Sequence, residues 1–178
     1  MRISFRRIRR QRRGSEDSRH DSMMDDPHCA ARRVRRFEAR DIPHAQEIAR
    51  QSPQAAAWSD KSYLAIDRTG QLAWVVESSG GLCGFLIARR VASDEAEILN
   101  LAVAPSTRRK GNGTALLRAC LVEFSRLRIQ RVFLEVRESN LSAISFYEKH
   151  KFARTGRRTE YYRNPSEAAL LLMRELTG

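Results

Sequence analysis

Cysteine is scarce in this chain of 178 residues, and what is present does not pair: Cys29, Cys83 and Cys120 are odd in number, widely spaced and without a Cys-x-x-Cys step. Such spacing encodes neither a disulfide framework nor a zinc site, and a reducing cytoplasm is the expected compartment. The four histidines, His20, His28, His44 and His150, also lack metal-ligand spacing, so no metal is expected. No apolar run approaches the ~18 residues needed to cross a bilayer, so no membrane association is expected. Acidic residues are outnumbered, 21 against 33 Lys+Arg, for a net charge of +12.

The remaining composition, 42% apolar and 30% charged, is that of a soluble globular protein. The length supports one well-buried core, and hence a single domain plus a tail. The excess charge is unevenly spread: residues 1–36 hold 12 Lys+Arg against 5 Asp+Glu, and residues 37–178 hold 21 against 16. The first 31 residues therefore read as a basic, disordered arm, and 32–178 as the folded domain. The opening arginine cluster is followed by no apolar segment, so it is not a secretory or twin-arginine signal. Contact of the arm with RNA, contact with a nearby partner and no role at all stay open, as does a downstream start at Met23 or Met24.

Periodicity divides the domain into strands and helices. Residues 34–38 form a short strand candidate; Asp41 then reads as the N-cap of a helix to about residue 51, and Ser59 as the cap of a second, through residue 64. The small apolar segment 52–58 could wall a substrate site, with Trp58 at its end. Residues 72–77, 82–91 and 95–103 are strands joined by short turns, an antiparallel meander. From 114 to 127, Leu117, Cys120, Leu121, Phe124 and Leu127 recur at helical spacing. Alternation returns at 131–137, and the intervening helix makes this strand a parallel neighbour of 95–103 through a right-handed crossover. Asn140 caps a helix to residue 150, and strands at 152–158 and 168–175 complete an α+β, mostly antiparallel sheet with one parallel pair and flanking helices.

Between strand 95–103 and the central helix lies the hexapeptide Arg108, Arg109, Lys110, Gly111, Asn112 and Gly113, with Thr114 opening the helix. A strand that ends in a basic, glycine-containing turn and runs straight into a helix presents free backbone N–H groups at the positive end of a macrodipole, which makes a phosphate cradle. Taken alone, the hexapeptide fits a flexible helix-capping turn equally well.

The order of elements and the Arg-Arg-Lys-Gly-Asn-Gly loop resemble the GNAT N-acetyltransferase superfamily and its acetyl-CoA motif. Leu134-Glu135-Val136-Arg137-Glu138-Ser139-Asn140 and Ala143-Ile144-Ser145-Phe146-Tyr147-Glu148 extend the resemblance to the ribosomal-protein-alanine N-acetyltransferase type, over about residues 33–176. The resemblance implies acetyl-CoA as co-substrate. The backbone of Leu101, Ala102 and Val103 would bind the acetyl-pantetheine arm, Arg109 to Thr114 would hold the pyrophosphate with Arg108 also among the cofactor contacts, and Asn140 would meet the thiol end. It makes Glu135 the general base and Tyr147 the general acid, and it places Tyr161 and Tyr162 beside the substrate groove. The implied acceptor is the N-terminal peptide of a ribosomal protein.

Three positions depart from the pattern. Lys151 stands where relatives have glycine after the helix, at a cost of about 1–2 kcal/mol if left-handed. Asn112 replaces an apolar residue, and Ala168-Ala169 replaces residues that are often acidic. Independently of the family, attack on a thioester needs a neutral amine, and an α-amine with a reference pKa of about 7.7–8.0 is neutral far more often at pH 7 than a lysine at about 10.4. A carboxylate then takes the proton the amine sheds, and a phenol supplies one to the leaving sulfur. Other N-termini, a lysine or a small amine are alternative acceptors; a non-catalytic basic module for RNA or ribosomes is the alternative of another class.

Overall fold

The computed structural model describes residues 32–52, 54, 58–66 and 70–176. The basic arm expected at 1–31 and most of the 52–58 segment lie outside the described residues. Along the chain run β1 (Arg33–Arg36), a 3-10 turn (Ala39–Asp41), α1 (Ile42–Arg50), α2 (Asp60–Leu64), β2 (Gln71–Ser78), β3 (Gly81–Arg90) and β4 (Glu95–Val103). A second 3-10 turn (Pro105–Thr107) leads to α3 (Asn112–Arg126), followed by β5 (Arg131–Arg137), α4 (Leu141–Lys149), β6 (Ala153–Arg163) and β7 (Ser166–Glu175). The strands form one sheet in the order β1-β2-β3-β4-β5-β7-β6, with β4 and β5 as its parallel pair.

Strand alternation sorts apolar side chains to two faces, each covered by different helices. Trp74, Val76, Leu86, Ile98, Val132 and Leu134 meet Leu116, Leu117, Cys120 and Phe124 of α3 and Ile144 and Tyr147 of α4. Ala73, Val75, Phe85, Ile87 and Ala102 meet Ala45 and Ile48 of α1 and Tyr63 of α2 on the other face. Phe85, Phe124, Leu86 and Leu172 are fully buried, each worth about 1.5–3 kcal/mol in transfer from water.

Asp41 precedes α1, as expected, but its carboxylate does not cap that helix. It accepts instead from the Glu38 N–H at 2.8 Å and from both terminal nitrogens of Arg35, at 2.7 and 2.9 Å. The Arg35 guanidinium, six residues earlier on β1, outcompetes the N–H groups of α1, because charged donors make the stronger bonds. Ser59 does cap α2, its Oγ accepting from Ser62 N–H at 3.2 Å.

Both long crossover helices end the same way without glycine. At the end of α4, Phe152 N–H donates to the Tyr147 carbonyl at 3.0 Å and Lys151 N–H to that of Glu148 at 3.0 Å, with Lys151 left-handed at φ 65°. At the end of α3, Ile129 and Arg128 bond back to Phe124 and Ser125, with Arg128 at φ 58°. These are Schellman closures whose apolar contact, Phe152 on Tyr147 or Ile129 on Phe124, offsets the cost of a side chain in the left-handed region.

Two irregularities shape the middle of the sheet. β4 skips a residue in its pairing with β3, Ile87 facing Asn100 and Ala88 facing Ile98, so Leu99 bulges. Leu99 and Ala102 consequently pack on the α1 side, while Leu101 joins the α3 side with Ala96 and Ile98. The parallel pairing of β4 with β5 runs only from Glu95↔Arg131 to Ile98↔Leu134. Beyond it the strands part, leaving an edge of β4 from Leu99 to Val103 that faces no strand.

Candidate active site

The predicted phosphate loop closes on the first turn of α3, which starts at Asn112, two residues earlier than periodicity indicated. Gly111 is the N-cap at φ 80°, and its carbonyl accepts the first helical bond, from Ala115 N–H at 3.0 Å. The N–H groups of Asn112, Gly113 and Thr114 thus precede the helical ladder at the positive end of the helix. Arg109 is left-handed too, at φ 61°. Left-handed residues at Arg109 and Gly111 bend the chain sharply into the helix start, a kind of turn in which backbone amides can receive an anion.

Residues outside the loop hold it in this shape. Asn112, buried, donates from Nδ2 to the Thr107 carbonyl at 2.9 Å and accepts at Oδ1 from Arg32 Nε at 2.8 Å. Arg32 also donates to the Lys110 carbonyl. A Cβ on Gly111 would come within 3.3 Å of the Arg32 guanidinium. The departure at Asn112 is therefore structural: its amide ties both ends of the loop. Sequence reasoning missed Arg32, which is 80 positions from Asn112. Nothing in its neighbourhood distinguishes it from the other arginines near the chain start.

Arg108, expected among the anion contacts, turns back toward the sheet. Its Nε donates to the Val103 carbonyl at 3.0 Å and Nη2 to Ser52 Oγ at 2.8 Å. Gly84 on β3 lies against this stretch so closely that a Cβ there would sit 2.7 Å from the Ala102 carbonyl oxygen. The described residues of the loop, the β4 edge and α3 fit a phosphate-bearing, extended ligand: amides and arginines at one end, and leading away from it a strand edge beyond the reach of the β5 pairing.

The two residues expected to move protons lie on opposite faces of the sheet. Tyr147 is on the α3/α4 side, 7% exposed, its ring packed edge-on against Phe146 and Phe152 at 5.2 and 5.4 Å. Burial pushes its phenol above the ordinary tyrosine range, and Cys120 adds to the effect. Glu135 alternates with Val132, Leu134 and Val136 and so points to the other side. Between the two faces, the parallel pairing of β4 with β5 ends at Ile98↔Leu134, one residue before Glu135. Asn140 stands at the start of α4, its Oδ1 accepting from Ala143 N–H at 3.1 Å as the N-cap.

The surroundings of Glu135 come from β6. Arg158 Nη1 lies 2.9 Å from Glu135 Oε1, and Tyr161 donates its phenol hydrogen to the same carboxylate. That bond, with burial second, pushes Tyr161 up to about 12. A register shift between Arg158 and Tyr162 makes this possible: Arg158 faces Ala169 and Tyr162 faces Glu167, so Thr159, Glu160 and Tyr161 oppose Ala168 alone. Glu160, at φ 52°, turns the bulge. Tyr161 and Tyr162 meet edge to face at 5.1 Å, and the Arg137 guanidinium lies 4.0 Å from the Tyr162 ring centre. Trp58 stands apart from this group, half-buried and 5.6 Å from Tyr63 in the α1/α2 core.

The acetyltransferase (GNAT) family model matches residues 34–152. The chain belongs to that family and is an N-acetyltransferase. It is 34% identical over 126 residues to the [ribosomal protein bS18]-alanine N-acetyltransferase of Escherichia coli K12, which covers 71% of this chain and 84% of that one. Its structure resembles Ard1 from Thermoplasma volcanium, with a TM-score of 0.76 and 30% identity, over 84% of this chain and all of the other (100%). It also resembles the ribosomal-protein-S18-alanine N-acetyltransferase from Escherichia coli, with a TM-score of 0.72 and 30% identity, over 83% and 96% of the two chains. The fold and family anticipated from the motifs are those found, and family membership makes the chain an enzyme rather than a passive basic module. Among the described residues no helix is long and apolar enough to cross a membrane.

Proposed function

We propose that this enzyme transfers the acetyl group of acetyl-CoA to the N-terminal α-amine of a protein, with the alanine of ribosomal protein bS18 as the acceptor. What supports this reading is the parting of β4 from β5 after Ile98, with the glycine loop following β4 and Glu135 and Tyr147 on opposite faces of the sheet. The relatives named for bS18-alanine acetylation supply the acceptor. This reading puts the protein in the cytoplasm, where ribosomal proteins are made.

Acetyl-CoA supplies an acetyl group activated as a thioester. Asn112, Gly113 and Thr114 would hold its pyrophosphate through backbone N–H groups, with Arg109 and Lys110 adding positive potential and Arg32 fixing the loop. The edge from Leu101 to Val103 would guide the pantetheine arm, and Asn140 would meet its thiol end. Glu135 would accept the proton that the α-amine sheds on forming the amide bond. Tyr147, kept protonated by burial, would donate to the departing sulfur. Against a thiol reference of about 8.5, a completed transfer from a phenol above 10 is uphill by about 2 kcal/mol or more, so the hydrogen bond in the transition state carries the effect.

Mass spectrometry of peptides that differ only in their first residues tests the acceptor. Acetylation of the alanine-initiated bS18 peptide, with little on lysine peptides or polyamines, is the expected result. Turnover of polyamines with the bS18 peptide untouched would overturn it.

A further inference from the structure

The bulge in β6 brings Arg158 and Tyr161 to one carboxylate oxygen pair. No sequence motif links them, and a general base has no need of a guanidinium at 2.9 Å. A bare carboxylate at the acceptor site would attract ammonium groups, the unreactive form of the substrate. We propose that Arg158 is a specificity-determining residue: by neutralising Glu135 it removes the attraction that would trap charged amines, and so favours acceptors that reach the site uncharged, peptide α-amines above lysine ε-amines. This inference rests on the reading of Glu135 as the proton acceptor.

The neighbouring charges leave this task to Arg158. On β5, Arg137 is held by Glu167 of β7 at 3.2 Å and covers the Tyr162 ring. On β4, Glu97, level with Phe133, is held by Arg89 at 2.7 Å. Tyr161 and Tyr162, both raised above the ordinary tyrosine value, are neutral at physiological pH. Arg158 also lies 5.6 Å from the Tyr161 ring centre, so one side chain orients both partners of the pair. Near pH 7.5 about a third of α-amines but only about one lysine in a thousand is neutral, so a site that does not stabilise ammonium retains this large intrinsic preference.

The sign of the effect separates charge from structure. In Arg158→Gln the Glu135 carboxylate is freed, bound ammonium is stabilised, and the alkaline rise of kcat should move up by about 0.5–1 pH unit. KM for the peptide should fall, and a peptide with a trimethylated N-terminus, a fixed cation, should inhibit about 5-fold more strongly, as such a shift implies. Arg158→Lys should restore the wild-type pH profile. A uniform loss of kcat at every pH, a raised KM, or unchanged inhibition by the trimethylated peptide overturns the proposal and leaves Arg158 a structural residue. Glu135→Gln is the separate control: full activity in that variant overturns both the base assignment and this inference, whereas its inactivity beside an unaltered Arg158→Gln profile overturns the inference alone.

Discussion

The two ends of the site are built by different means. The proposed anion end is largely local: residues 107–115 form the loop, its left-handed turns and the helix start, while Arg32, Ser52 and Cys83 meet it from elsewhere. The proposed acceptor end is assembled across the sheet, from β5, a bulge in β6 and the place where β4 parts from β5. Backbone amides at a helix start recognise charge whatever side chains surround them. Proton transfer, in contrast, depends on where individual carboxylates and phenols are held. Substitutions at the two ends should therefore affect different measurements.

The sharpest break in this contrast is Gly111→Glu, which adds a negative charge and a side chain at φ 80° beside the loop amides. Acetyl-CoA affinity by calorimetry should fall by at least about 100-fold, while circular dichroism stays native. Glu135→Gln should do the converse, lowering kcat by about 100-fold or more with acetyl-CoA affinity within about twofold of wild type. Tyr147→Phe should lower kcat by about 10–100-fold with the same unchanged affinity, because only the donor hydrogen is lost. Equal losses of affinity in all three variants would erase the distinction between the ends.

Arg32→Ala tests whether the anion end is as local as its motif. Loss of the bonds to Asn112 and Lys110 should weaken acetyl-CoA binding by about 5–10-fold, on the scale of one ordinary hydrogen bond, since the effect reaches the ligand only through the loop. An unchanged affinity would make the loop self-sufficient. The smallest effect belongs to Lys151→Gly, which relieves the left-handed position after α4 at the cost of a more flexible unfolded chain. A net gain of about 0.5–1 kcal/mol is expected, seen as a rise in Tm of a few degrees and no change in kcat.

Most strand and helix positions were legible because their apolar residues repeat with the period of the element, as in Val132, Leu134 and Val136 of β5 or Leu117, Cys120 and Phe124 of α3. Expectation and structure differ where a side chain found another partner: Asp41 serves Arg35 rather than α1, and Arg108, expected among the cofactor contacts, bonds to Val103 and Ser52. The left-handed turn at Lys151 was foreseeable from its place after a helix; the bulge around Glu160 was not, because Gly156 and Asn164 are the nearby turn-forming residues and neither lies in it.

By itself the sequence determined the order of strands and helices and the place of the glycine loop, since each follows from spacing along the chain, while the proposed roles of Glu135 and Tyr147 came from the family resemblance. Only the tertiary structure decided that Arg158 and Tyr161 share the Glu135 carboxylate, that Arg32 braces the loop and that β4 parts from β5 after Ile98. Those outcomes depend on strand register and on which distant charge wins each partner, and neither is written in any local pattern.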